Sequence, residues 1–209
     1  MIPSGPPTHL SMIRGFHLAD FLTLANAACG VLAVFAVMRY VETRALSHLL
    51  TATALIPLAL VFDVLDGRVA RWRMKHSAMG RELDSLADVI SFGVAPAAIA
   101  YGAGMNGAGD VVILIYFVAC GVSRLARFNV TAEQLASTAG KVKYFEGTPI
   151  PSSLILVGVV AAMAWRGNIG DALPGGAIRL GVATFHPFTL LWALSGSLMI
   201  SKTLRIPKM

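Results

Sequence analysis

Charge is scarce in this sequence. Asp, Glu, Lys and Arg make up 13% of its 209 residues, against about 25% in a typical soluble domain. Only 11 residues are acidic. An ordinary soluble domain is excluded on that ground. The two cysteines, Cys29 and Cys120, sit inside apolar runs; they read as small buried hydrophobes and say nothing of the redox compartment. No Walker loop and no nucleophile elbow is present. His9, His17, His48, His76 and His186 are scattered without metal-ligand spacing, and His76 is expected in a solvated loop. There is no internal repeat, no low-complexity segment and no period-two alternation of the kind a membrane barrel needs. Gly102, Gly104 and Gly107 fit G-x-G-x-x-G, but an apolar helix precedes them instead of a strand, so they are expected in a flexible outer loop, and Gly175-Gly176 in another. Residues 1–15 contain Pro3, Pro6 and Pro7 and lack an apolar core before a small-residue cleavage site, so no cleavable signal peptide is expected.

What the chain has instead is apolar surface. Hydrophobic residues reach 56%, and the mean hydropathy is +0.71. Six runs approach the ~20 helical residues that cross a hydrocarbon layer of ~30 Å. They extend over Phe16–Met38, Leu46–Phe62, Leu83–Tyr101, Val111–Phe128, Ile150–Trp165 and Val182–Ile200. The second and fifth are short, and the second is expected to continue as helix beyond Phe62. The fold class predicted is all-α and integral to the membrane: six transmembrane helices in one domain covering residues 1–209, with residues 1–15 as a juxtamembrane segment and a short interfacial helix expected within the residues up to His17.

The basic residues orient this bundle. With a cytoplasmic N-terminus, 13 of the 17 Lys and Arg residues fall on the cytoplasmic side, and only Arg39, Arg44, Arg166 and Arg179 fall outside. The positive-inside rule therefore predicts a multi-pass protein of the cell membrane with both termini in the cytoplasm. The net charge of +6 points to anionic lipid headgroups rather than nucleic acid.

Five of the 11 acidic residues crowd into DVLDGRVARWRMKHSAMGRELDSLAD, residues 63–88, between apolar runs. On a helix, Asp63 and Asp66 share a face, as do Asp84 and Asp88. A turn at Met79-Gly80 would fold the two helical segments into a hairpin and bring the pairs together. Four carboxylates converging without cations repel one another. Hard divalent cations, Mg²⁺ or Mn²⁺, remove that repulsion, and four carboxylates suffice to bridge two of them. Such a pair clamps the attacking and leaving oxygens of phosphoryl transfer. Arg71 offers a guanidinium to phosphate oxygens, and Gly67 and Gly80 allow a ligand close to the backbone. Ionisable groups within membrane helices are functional by default.

These residues resemble the signature of the CDP-alcohol phosphotransferases, D-x-x-D-G-x-x-A-R-x(8)-G-x-x-x-D-x-x-x-D. Asp63, Asp66, Gly67, Ala70, Arg71, Gly80, Asp84 and Asp88 occupy all its fixed positions. The six runs agree with the family's six-helix domain. The resemblance implies a polar metal cavity facing the cytoplasm, and exchange of the CMP of a CDP-linked lipid for an alcohol. It implies that Asp63 and Asp84 bridge two divalent cations, that Asp66 completes one site and Asp88 the other, and that Asp88 takes the proton of the attacking hydroxyl. It places Gly67, Arg71, Ser77 and Gly80 at the CDP group, together with Asn26 of TLANAACG on the first helix. It also implies a homodimer.

Three further stretches, GRELDSLADVISFGVAPA, SRLARFN and FEGTPIPSS, are similar to the integral-membrane phosphatidylserine synthases of that family, with Thr148 standing where leucine is expected. The substrates implied are CDP-diacylglycerol and L-serine. Arg124, Arg127, Asn129 and Lys143 are the acceptor-binding candidates, since a serine carboxylate needs a cation; Glu146 is available to the ammonium or to Lys143. Two alternatives stay open. One is the same chemistry with glycerol 3-phosphate or inositol phosphate as acceptor. The other is a divalent-cation transporter using the same aspartates, against which Arg71 and the lack of an inverted repeat argue.

Overall fold

The apolar runs become six helical rods in the computed structural model, which describes residues 18–72, 78–137, 144–180, 183–201 and 205–207. The first rod is α1, Leu18–Thr43, and the second is α2, Leu46–Trp72. The third is composite: α3 (Ala78–Asp88), a π-helical segment (Val89–Val94) and α4 (Ala95–Gly102) run on without a break. Then follow α5 (Ala108–Ser137), α6 (Ser153–Trp165) and α7 (Leu190–Ile200). Leu18–Thr43, Leu46–Val69, Met79–Gly102 and Ala108–Thr131 are each long and apolar enough to cross a membrane. Each rod also carries large apolar side chains outward, among them Phe35 on α1, Val61 on α2 and Ile115 on α5. A soluble monomer does not expose apolar surface on so many faces. The protein is thus integral to the membrane and crosses it several times.

Short connections and small residues set the packing. Arg44, with a positive φ of 55°, closes α1 by donating its N–H to the Tyr40 carbonyl at 2.8 Å, and α2 starts two residues later. The resulting antiparallel hairpin is the most extensive helix pair. Ala33 on α1 and Ala52 and Ala59 on α2 are fully buried and let the helices approach closely. Phe92, Phe117, Leu49, Ile56, Ile99 and Trp192 fill the centre.

The π-helical segment follows Asp88 directly. Ala95 donates its N–H to the Ile90 carbonyl, a step of five residues. The physical reason lies one residue on: Pro96 has no N–H, and in a regular helix its ring would crowd the carbonyl of Phe92. A wider turn relieves that clash. Helix α1 lies tightly against this turn. A Cβ on Gly30 would sit 2.7 Å from Ser91 Oγ and 2.8 Å from Ser91 Cα, and Ser91 Oγ donates to the Asn26 carbonyl at 2.8 Å.

Two expectations are modified. The sixth run, expected as helix from Val182, is described from Ala183 and is not helical there: Ala183–Phe185 is a strand, β3, paired antiparallel with β2 (Ile178–Leu180), and α7 begins only at Leu190 after a 3₁₀ turn at Pro187–Thr189. Pro187 restricts the preceding residue to extended geometry, which favours the ribbon. A second small ribbon pairs β1 (Tyr144–Glu146) with β4 (Arg205–Pro207). Met79 and Gly80 are not the hairpin turn; they lie in the first turn of α3, and the connection covers residues 73–77, outside the described residues. Residues 1–17, and with them the interfacial helix expected there, also lie outside.

At the far end of α5 from the signature, loops are tied by one carboxylate. Asp110 is fully buried and accepts from Gly107 N (3.0 Å), His186 N (2.8 Å) and Thr189 Oγ1 (2.8 Å). His186 Nδ1 lies 2.6 Å from Asp110 Oδ2; the carboxylate accepts, so the ring nitrogen donates.

Candidate active site

The carboxylates meet where the end of α2 and the start of the third rod lie against the first half of α1. Asp63 and Asp66 stand one turn apart on α2, and Asp84 and Asp88 one turn apart on α3. Asp63, Asp66 and Asp84 each bring a carboxylate oxygen within 4.8 Å of the others. Asp66 and Asp88 are buried, while Asp63 and Asp84 keep partial exposure. Bare, such a cluster is costly, since each like-charge pair at 4 Å repels by about 4 kcal/mol at an effective dielectric of ~20. Among the residues whose side chains are described, which do not include Arg71, no cation lies within ion-pairing distance of these carboxylates. Asp84 Oδ1 is buried without a hydrogen-bond partner. An all-oxygen donor set with an unsatisfied oxygen turned inward fits a divalent cation of the Mg²⁺ or Mn²⁺ type. The cluster is therefore a possible metal site.

Helix α1 supplies two neutral polar groups to the cluster, Asn26 and Thr23, and carries the buried carboxylate Asp20 one turn before Thr23. Asn26 is fully buried, and its Nδ2 donates to Asp88 Oδ1 at 3.4 Å. Its own Oδ1 has no hydrogen-bond partner, which leaves an acceptor for a ligand amino or hydroxyl group. One turn earlier, Thr23 donates to Asp66 Oδ2 at 2.6 Å. Thr23 escapes sequence reasoning because a threonine in an apolar helix carries no signal by itself; only its position three residues before Asn26, on the same face, could have marked it.

The other expected residues divide into groups. Gly67, directly after Asp66, and Gly80, one turn before Asp84, share the helices that bear the carboxylates, and Arg71 sits in the last turn of α2. Ser77 and Lys143 lie outside the described residues. Arg124 and Arg127 line a cavity of 440 Å³ with Tyr116, Cys120, Ser123 and Ile200. Arg124 Nε is buried and unpartnered. Asn129 is engaged within the protein: its Nδ2 donates to Ser85 Oγ at 3.0 Å and to Glu82 at 3.3 Å, and Ser85 Oγ lies 3.2 Å from Asn129 Oδ1. It braces α5 against α3 with its amide already used. A larger apolar cavity of 810 Å³, lined by Val37, Val41, Tyr101 and Leu114 among others, lies along the later half of α1, away from the carboxylates.

Comparison with known proteins fits this geometry. The chain is 48% identical over 203 residues to a CDP-diacylglycerol–serine O-phosphatidyltransferase of Saccharomyces cerevisiae, covering 96% of this chain and 74% of that one. It is 36% identical over 160 residues to an enzyme of the same name from Mycobacterium leprae, covering 76% and 49%. It is 37% identical over 143 residues to an archaetidylserine synthase of Methanothermobacter thermautotrophicus, covering 67% and 55%. The chain thus spans about three quarters of the yeast relative and about half of the other two. Residues 16–193, which hold every described carboxylate of the cluster and the helices that position them, match the CDP-alcohol phosphatidyltransferase family, and the chain belongs to that family.

Proposed function

We propose that the protein is a phosphatidylserine synthase: it transfers the phosphatidyl group of CDP-diacylglycerol to the hydroxyl of L-serine, giving phosphatidylserine and CMP. The convergence of Asp63, Asp66 and Asp84 beside Asp88 carries this reading, in a chain 48% identical to a yeast enzyme named for that reaction. Asp63 and Asp84 would hold two divalent cations between them, with Asp66 completing one site and Asp88 the other. When bound, the cations neutralise the carboxylates and stabilise charge on the transferring phosphate.

The chain's own groups perform the rest. Gly67, Arg71, Ser77 and Gly80 contact the CDP group, and Asn26 offers it an acceptor through Oδ1. Asp88, held through Oδ1 by Asn26, takes the serine hydroxyl proton as the serine oxygen bonds to phosphorus. The phosphorus–oxygen bond to CMP breaks, and CMP leaves as the anion. Arg124 and Arg127 meet the serine carboxylate from the 440 Å³ cavity, and Lys143 adds a further cation for it. Asn129 contributes to acceptor binding through the brace between α3 and α5. The whole chain acts as one membrane domain of six spans, its two shorter helices completing the bundle and its metal cavity facing the cytoplasm with both termini. It pairs as a homodimer.

The test is CMP release by the purified protein in detergent with CDP-diacylglycerol and Mg²⁺ or Mn²⁺. Serine, glycerol 3-phosphate and inositol phosphate are added separately. Release driven by serine, abolished by exhaustive chelation and restored by the metal, is the expected result. Release with a phosphorylated acceptor alone would overturn the acceptor. Release undiminished by chelation would overturn the metal mechanism.

A further inference from the structure

We infer that Thr23 is a positioning residue that sets the orientation of the Asp66 carboxylate and thereby the affinity of the site for its cation. The inference rests on the reading of the aspartate cluster as a metal site. Thr23 comes from α1 and Asp66 from α2, 43 positions later, and both are at least nine-tenths buried. The hydroxyl lies 2.6 Å from Asp66 Oδ2 and 3.1 Å from the Ala19 carbonyl. Both neighbours accept, and a hydroxyl has one proton. An ionised carboxylate takes that proton in preference to a helix carbonyl already bonded within its own helix, and 2.6 Å is the length of a charge-assisted bond.

The consequence is geometric. The last torsion of an aspartate is broad, so an unrestrained carboxylate sweeps its oxygens over a wide arc. A bond to Oδ2 from a neighbouring helix stops that rotation while leaving Oδ1 and a second lone pair of Oδ2 for a cation. Among the described residues, Asp66 is the member of the cluster held by a hydroxyl. Being neutral, the threonine orients the ligand without adding a charge that would compete with the metal. Groups that hold a metal ligand in this way typically contribute 10–100-fold in affinity.

The experiment uses the full chain in detergent, with Mn²⁺ alone as the probe. Free Mn²⁺ is followed by electron paramagnetic resonance as protein is titrated in without substrate, for the wild type, Thr23→Val and Thr23→Ser. Thr23→Val keeps the shape and removes the hydroxyl; it is expected to raise the Mn²⁺ Kd about 10–100-fold. Thr23→Ser keeps the hydroxyl and is expected to stay within about threefold of the wild type. The Mn²⁺ concentration for half-maximal CMP release should move in parallel. If Thr23→Val does not yield folded protein, Thr23→Ala takes its place with the same expectation. Wild-type affinity in Thr23→Val overturns the inference, as does an equal loss in Thr23→Ser, which would assign the effect to packing of the methyl group. Absence of Mn²⁺ binding by the wild type would instead overturn the metal reading beneath it.

Discussion

Asn26 and Asp88, 62 positions apart in the chain, face each other across the interface of α1 and the third rod, with Asn26 Nδ2 3.4 Å from Asp88 Oδ1. The amide is a neutral donor to a carboxylate that already shares its surroundings with three others. It can therefore hold Asp88 in place without taking over its negative charge, as a lysine in that place would.

Asp88→Asn tests the proposed base directly. The substitution conserves shape and removes the proton acceptor, so turnover is expected to fall by at least about 10²–10⁴-fold, the usual contribution of a positioned base. Binding of CDP-diacylglycerol should change far less. Single-turnover CMP release, compared with equilibrium binding of the lipid nucleotide, separates the two. Near-normal turnover would remove Asp88 from the role.

Asn26→Leu removes the donor to Asp88 and leaves that carboxylate short of a partner. A lost hydrogen bond to a charged group costs about 1.5–3 kcal/mol, or roughly 10–150-fold in kcat/KM. Kinetics at varied CDP-diacylglycerol will show whether the loss falls on KM, as expected if Asn26 Oδ1 also contacts the nucleotide. Unchanged kinetics would make Asn26 a packing residue.

Gly30→Ala puts a methyl group where Ser91 already stands. Overpacking of this kind costs about 1–3 kcal/mol, and relief requires α1 to move away from Ser91 and Asp88. Both Tm and activity are expected to fall together. A variant with lower Tm and full activity would show that the contact serves stability alone.

Asp110→Ala, by contrast, should separate the two properties. It removes a fully buried carboxylate and leaves its four donors, the His186 ring nitrogen among them, without their acceptor. Removing one member of a buried pair costs about 3–5 kcal/mol. Tm is expected to drop markedly, while the metal requirement and KM of the protein that remains folded stay as they were, because the tie lies at the opposite end of α5 from Arg124 and Asn129.

The parts of the protein legible in its sequence are those written in local pattern. Aspartates at spacings of three and four, set between apolar runs, predicted both the helices that carry them and their meeting, and Asp63, Asp66 and Asp84 do meet. The continuation of the second run as helix beyond Phe62 follows from the same logic and holds to Trp72. Pairings over long separation were not legible. His186 carried no pattern because its partner, Asp110, is 76 positions away. Asn129 was readable as a polar residue near the site but not as one whose amide is already used by Ser85 and Glu82, since that depends on how α5 lies against α3. The late start of α7 was hidden by an apolar run that serves strand and helix equally well.

The wide turn after Asp88 also has a bearing on phase. A straight helix couples the direction of every side chain to every other at a fixed ~100° per residue. Had Val89–Val94 been ordinary α-helix, the face bearing Asp84 and Asp88 would dictate which face of α4 points at the core, where Ile99 and Ala100 are fully buried. The five-residue step supplies one extra residue of slack between the two halves of the rod. The half that bears the carboxylates and the anchoring half can thus be tuned as separate registers on one rod. Deleting a single residue within Val89–Val94 would remove that slack: the rod could keep its two faces in phase only as regular α-helix, with the Pro96 ring pressed against the carbonyl four residues before it.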